Sequence, residues 1–184
     1  MSNIYKYIVY ILLSILCKIN AKEVIIESKD INNIENVINI ESQKEENLIL
    51  KFNEKYYDMS NLPSKGINLF ITSNITFSGY SEEIIFDFKN ENNGIMNITY
   101  LENKWNNTNI VKFENIIFKN FGQECKEKKY MFIIDSDTDM NYLKFENCTF
   151  IDNKHTLFKL NVSNYDDTFL NSDYFITFDN CVFR

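Results

Sequence analysis

Three segments decide the fold: VKFENIIFKN at 111–120, LKFENCTFID at 143–152 and ITFDNCVFR at 176–184. Each reads Phe, acid, Asn, two variable residues, Phe. The first Phe is 113, 145 and 178, the Asn is 115, 147 and 180, and the second Phe is 118, 150 and 183. The unit therefore recurs at a nearly constant period, the second step being longer than the first by a single position. Self-similarity at such a period marks a stacked architecture. Side chains of a strand alternate faces with period two. Phe113 and Phe118 are five apart and would face opposite ways on an unbroken strand. Burying both requires a bend, and Asn115 is the residue type that tolerates left-handed dihedrals and bonds local backbone. A strand, an Asn bend and a second strand, repeated, make one corner of a β-solenoid coil. Coils stack at about 4.8 Å, so the Asn amides are expected to form a buried ladder, each bond contributing roughly 0.5–1.5 kcal/mol.

Working outward, ITSNITFSG at 71–79 reads as a fainter copy, with Asn74 and Phe77 aligned on Asn115 and Phe118 at a longer spacing than the motif period. A second apolar piece follows each corner, at 130–134 and 157–160. Phe132 follows Phe118 at a wider interval than Phe158 follows Phe150, so loops change length while the period survives. Regular corners with variable loops are the habit of solenoids. Upstream, 47–52, 68–72 and 83–88 read as early strands. Ser28 is expected to cap a short helix through about Asn39, with Ile31, Ile34 and Ile38 on one face. Such a helix would cover the first coil and hide its open strand edges.

FENIIFKN, FENCTFIDN and FDNCVF, preceded by a helix and ITSNITFSG, resemble right-handed parallel β-helix proteins: the pectate-lyase-like solenoids and the repeats of polymorphic surface proteins. The motif part of the resemblance covers about 68–184. It implies an all-β, single-stranded, right-handed parallel β-helix with a short N-terminal capping helix. The right hand comes from the resemblance alone. Lyases of that superfamily use a positioned Arg or Lys, its hydrolases use paired Asp, and some members bind Ca²⁺.

Composition is compatible with one domain. The 184 residues carry a net charge of −7, which disfavours nucleic acid. The short cluster Lys126, Lys128 and Lys129 is diluted by Glu124 and Glu127 and reads as a solvated loop. Residues 1–21 read as a signal peptide: Lys6, the apolar run 8–16, then Ile19 and Ala21 at the −3 and −1 positions of a cleavage site. That run is shorter than the ~20 residues a membrane span needs, so membrane attachment is expected only through an uncleaved signal segment. Cys17 follows no small residue, which argues against a bacterial lipoprotein site. Cleavage after Ala21 removes Lys6 and Lys18 and no acid, taking the charge to −9. Five sequons accompany an exported route, at Asn74, Asn97, Asn106, Asn147 and Asn161.

The chemistry-bearing residues have plain alternatives. Cys148 and Cys181 share a repeat column, in which Ile75 and Ile116 are also placed. They read as stacked free thiols in preference to a disulfide, and Cys125 stands apart. Cys–His catalysis needs a base beside the thiol, and His155, the sole histidine, is placed in a turn. Asp135, Asp137 and Asp139 suit either a Ca²⁺ site or a solvated acidic loop, and the loop is preferred because no Gly supplies a tight turn. Glu114, Glu146 and Asp179 form an outward acidic column that Lys112 and Lys144 would turn into a charge ladder. No outward Asp pair recurs at the solenoid spacing, and Arg184 is the only arginine. Trp105, in a polar loop, is the best single candidate for sugar or partner contact.

No catalytic, cofactor-binding or metal-ligating set emerges. The expectation is a signal peptide at 1–21 and a β-helix domain at 22–184, secreted or at the cell surface, with a structural, adhesive or interaction-scaffold role. A polysaccharide-active lyase or hydrolase, or a non-catalytic fragment of one, is the alternative. Partners expected are a carbohydrate or protein bound through the loops. The last motif runs to Arg184 without a closing cap, so missing C-terminal coils, or end-to-end assembly if Arg184 ends the native chain, are both expected. Asn147, placed in the ladder, is expected to be buried and unglycosylated.

Overall fold

The computed structural model describes residues 21–42, 47–79, 83–101, 108–122, 129–136, 141–162 and 175–184. The expectations for residues 1–20, Trp105, Asn106, Cys125, Lys126, Lys128, Asp137 and Asp139 lie outside the described residues. Strand β1 (Lys22–Ile26) leads into a 3-10 segment (Ser28–Asn33) and helix α1 (Ile34–Ser42). Four coils follow, each with one strand per sheet. They are β2 (Leu48–Phe52), β3 (Tyr56–Asp58) and β4 (Ile67–Ile71); β5 (Ile75–Gly79), β6 (Ile84–Asp87) and β7 (Met96–Tyr100); β8 (Ile110–Glu114), β9 (Ile116–Lys119) and β10 (Tyr130–Ser136); and β11 (Tyr142–Glu146), β12 (Thr149–Ile151) and β13 (Thr156–Val162). Strands β14 (Ile176–Asp179) and β15 (Val182–Phe183) begin a fifth coil.

The first sheet runs β1-β2-β5-β8-β11-β14, the second β3-β6-β9-β12-β15 and the third β4-β7-β10-β13. Every pairing is parallel. The fold is therefore all-β, three stacked parallel sheets with one short helix, consistent with a parallel β-solenoid.

Aromatic columns fill the interior. Phe113, Phe145 and Phe178 stack with centroids 5.2 Å apart at each step. Phe118, Phe150 and Phe183 stack at 5.0 and 4.8 Å, and Phe132 stacks on Phe158 at 5.2 Å. Both motif Phe residues of the third and fourth coils are buried, as their parity demands. Each ring pair contributes about 0.5–1.5 kcal/mol beyond the area it buries.

The bend is where the parity argument puts it. Asn115, Asn147 and Asn180 have φ of 58°, 52° and 51°. The expected burial of the Asn ladder is corrected: Asn147 is exposed, and its side-chain oxygen accepts from Asn180 Nδ2 at 2.7 Å on the surface. A left-handed residue resets the alternation, so Glu146 and Asn147 both face outward between buried Phe145 and buried Cys148. A second left-handed column, missed in the motif, closes the next corner at Asn120 (φ 59°) and Asp152 (φ 53°). Here too parity demanded it, since Phe118 and Phe121 are three apart and both buried.

The upstream copy is also corrected. Phe77 pairs in register with Phe113, not Phe118, and Ile75 pairs with Val111. Residue 116 instead stacks on Ile84, so Ile75 leaves the cysteine column. Coil length varies more at this end. Leu48, Ile75, Val111, Leu143 and Ile176 succeed one another in register. The step from Leu48 to Ile75 is shorter than the motif period and the step from Ile75 to Val111 is longer, whereas the last two steps keep it.

The N-terminal cap forms, with Ile31, Ile34 and Ile38 buried. It begins one residue earlier than expected. The Glu27 amide donates to Asp30 Oδ2, while the Ser28 amide and hydroxyl both donate to the Glu54 carboxylate on the corner beneath. Asn39 replaces a neighbouring strand for β4: its Nδ2 donates to the Asn68 carbonyl at 2.8 Å and its Oδ1 accepts from the Phe70 amide at 3.0 Å. At the opposite end of the described stack, Phe178 and Phe183 are 42% and 52% exposed.

Candidate functional site

The outward face of the first sheet carries the acid–base ladder anticipated from the motif. Lys112 Nζ lies 2.5 Å from Glu114 and 2.9 Å from Glu146, and Lys144 lies 3.7 Å from Glu146. Ser78 Oγ donates to Glu114 at 2.6 Å, extending the column to the coil below. Hydrogen bonding from Lys112, aided by its charge, holds the Glu146 carboxyl below the usual range. Parallel register puts like charges above one another, and the lysines two residues away offset that repulsion.

The second sheet stacks an Asp pair that lies off the motif period. Asp58 and Asp87 are register partners on β3 and β6. Their separation in the chain is shorter than the motif period, so a search at that period passes over them. Lys89 Nζ lies 2.5 Å from Asp58, whose Oδ1 also accepts from the Ser60 hydroxyl at 2.6 Å. Burial alone would raise the Asp58 carboxyl, but hydrogen bonds from Lys89 and Ser60 outweigh it and leave it below its ordinary value. Asp87 accepts from Asn120 Nδ2 at 2.9 Å, from the Lys89 amide at 2.8 Å and from the Tyr56 hydroxyl at 3.3 Å. Tyr56 is raised by burial and by Asp87.

Cys148 and Cys181 are both free thiols, the first buried and the second half-buried. Burial pushes the Cys148 thiol up to about 12. His155 lies at the corner between the second and third sheets, against Gly122 and 6.4 Å from the Phe121 ring. The cysteines lie at the corner between the first and second sheets, so the topology does not bring thiol and imidazole together. Among the described residues, no group of three or more His, Cys, Asp or Glu is arranged to hold a metal ion. Of the acidic loop only Asp135 is described, and its Oδ1 accepts from Asn161 Nδ2 at 2.6 Å.

Connections from the third sheet to the first vary most in length. Chain segments 101–109, 137–141 and 163–175 all leave the third sheet and return to the first. The first of them contains Trp105 and the sequon at Asn106. The sequon asparagines among the described residues differ in setting. Asn74 Oδ1 accepts from the Ile110 amide at 2.8 Å, Asn97 Nδ2 donates to the Lys65 carbonyl at 3.3 Å, and Asn147 and Asn161 are exposed. No helix among the described residues is long and apolar enough to cross a membrane. In comparisons with known proteins, no family model, no curated protein and no solved structure matches the chain.

Proposed function

We propose that the chain is an exported or cell-surface, right-handed parallel β-helix of the pectate-lyase-like or polymorphic-surface-protein type, with a structural, adhesive or interaction-scaffold role. The observation that carries this reading is the corner from the third sheet to the first, where the connections between strands vary most in length. Binding residues concentrate on loops held by a rigid scaffold, and this corner is where the chain departs most from its repeat. The ligand class is a carbohydrate or a protein met by those connections. End-to-end association through strands β13, β14 and β15 belongs to the same reading if Arg184 ends the native chain, and sedimentation of the purified chain tests it.

The main test expresses the full chain in an export-competent host. N-terminal sequencing should find Lys22 first. The purified product is then offered to a glycan array and to cell surfaces, alongside variants with 102–107 or 163–174 replaced by short Gly-Ser links. Binding lost in a variant whose unfolding curve is unchanged supports the scaffold reading. Binding indifferent to both replacements sinks it.

The second reading, a polysaccharide-active enzyme, is favoured by Asp58 over Asp87 with Tyr56 and Lys89 at hand. Incubation with uronate polysaccharides, with and without Ca²⁺, decides it: product that disappears in Asp87→Asn establishes it, and absence of product removes it.

A further inference from the structure

We propose that Cys148 and Cys181 are a redox-responsive pair that closes into a disulfide and locks the last coil onto the stack. The residues after them, Thr149 and Val182, are register partners on parallel strands. Adjacent parallel strands lie about 4.8 Å apart, which puts the two Cα atoms inside the roughly 4.4–6.8 Å range of disulfides. The thiols are also equivalently turned. Cys148 Sγ lies 3.5 Å from the Glu146 carbonyl, and Cys181 Sγ lies 3.4 Å from the Asp179 carbonyl, in each case two residues back. Side chains related by translation keep their Cβ atoms about as far apart as the strands, beyond the ~3.8 Å a disulfide prefers. One strand must therefore shift toward the other. Strand β15 is the shorter of the two, with two residues, and among the described residues it pairs with β12 alone, so it is the one to shift.

The two thiols divide the chemistry. Cys181 is half-buried and reachable, whereas Cys148 is fully buried. With oxidised glutathione as oxidant, the Cys181 thiolate attacks one sulfur of the glutathione disulfide. A mixed disulfide forms and one glutathione thiolate leaves. Cys148, deprotonated as it turns, then attacks the Cys181 sulfur and expels the second glutathione. Two protein thiols lose two electrons and two protons, and one glutathione disulfide becomes two glutathiones. The product ties β15 to β12, where the backbone bonds are Val182 N–H to the Cys148 carbonyl and Arg184 N–H to the Phe150 carbonyl. The proposal stands independently of export and of any ligand.

The test treats the purified full chain with a graded glutathione redox buffer and maps non-reduced peptides by mass spectrometry. The expected product joins the peptides containing 148 and 181, survives in Cys125→Ser and is missing in Cys181→Ser. Amide exchange at Val182 and Arg184 should slow about tenfold on oxidation, since local opening of the last coil is suppressed. Three results would overturn the proposal: a lasting mixed disulfide on Cys181 with Cys148 still alkylatable after unfolding, a crosslink running only to Cys125 or Cys17, or a 148–181 bond that leaves exchange at Val182 and Arg184 unchanged.

Discussion

Asn180 Nδ2 donates a hydrogen bond of 2.7 Å to Asn147 Oδ1 across two coils, each residue sitting at a φ near 50°. Conformation and ladder contribute separately, and substitution separates them. Asn147→Gly keeps the left-handed backbone and loses only the amide. Asn147→Ala loses the amide and also adds the cost of a left-handed alanine, about 1 kcal/mol. The alanine variant should be destabilised by about 1–2 kcal/mol and the glycine variant by less, as read from urea midpoints. Equal losses would mean that the φ value carries no strain.

Phe145 is the aromatic hub, in ring contact with Phe113, Phe118, Phe132, Phe150, Phe158 and Phe178. Phe145→Ala should cost about 3–5 kcal/mol, because a buried ring leaves a cavity its stacked neighbours are too constrained to fill. Phe183→Ala, at the far end of the described stack, should cost under about 1.5 kcal/mol. Guanidinium unfolding of the two variants gives the ranking directly, and comparable losses would contradict the columnar core.

The charge ladder makes a pH prediction whose sign follows from Glu146. Its folded carboxyl is held below the ordinary value, chiefly by the Lys112 hydrogen bond. Stability from this source is therefore present above the unfolded value near 4.5 and is lost as pH falls through the depressed folded value. Lys112→Met should flatten the acid limb of the stability–pH curve below about pH 5. At neutral pH it should cost no more than about 1 kcal/mol, as exposed ion pairs do. Thermal melts between pH 3 and 7 (roughly the span in which carboxylates titrate) would show the two curves converging at the acid end.

Asn39 is expected to protect the β4 edge. With Asn39→Ala, the Phe70 amide and the Asn68 carbonyl lose their partners. Amide exchange at Phe70 should accelerate about tenfold or more, and global stability should fall by about 1 kcal/mol. Unchanged exchange at Phe70 would show that α1 covers the edge by packing alone.

Parity made the corner legible: two buried Phe residues five apart admit no straight strand, and Asn between them names the bend. The same reasoning applied to Phe118 and Phe121 would have located the second bend at Asn120. The side on which the Asn faces was not legible, because alternation resumes out of phase after a left-handed residue. The Asp58–Asp87 stack and the register of Phe77 escaped for a different reason. Coils near the N-terminus are shorter or longer than the motif period, so partners there are set by closure of the backbone ladders, which spacing in the chain does not reveal. Strand β1 has no motif copy and was invisible to the repeat. The capping helix was visible because Ile31, Ile34 and Ile38 announce a buried face without help from any neighbour.

The connections at the third-to-first corner differ in length, the one at 137–141 being far shorter than the one at 163–175, yet Leu143 still meets Ile176 in register. Vertical order in the stack is thus indifferent to how far the chain wanders before it returns. Such a corner is a natural insertion point. Segments grafted there would be displayed along one edge at the rise of the coils, and the stack places no demand on the length of that edge while the aromatic columns stay under constant constraint.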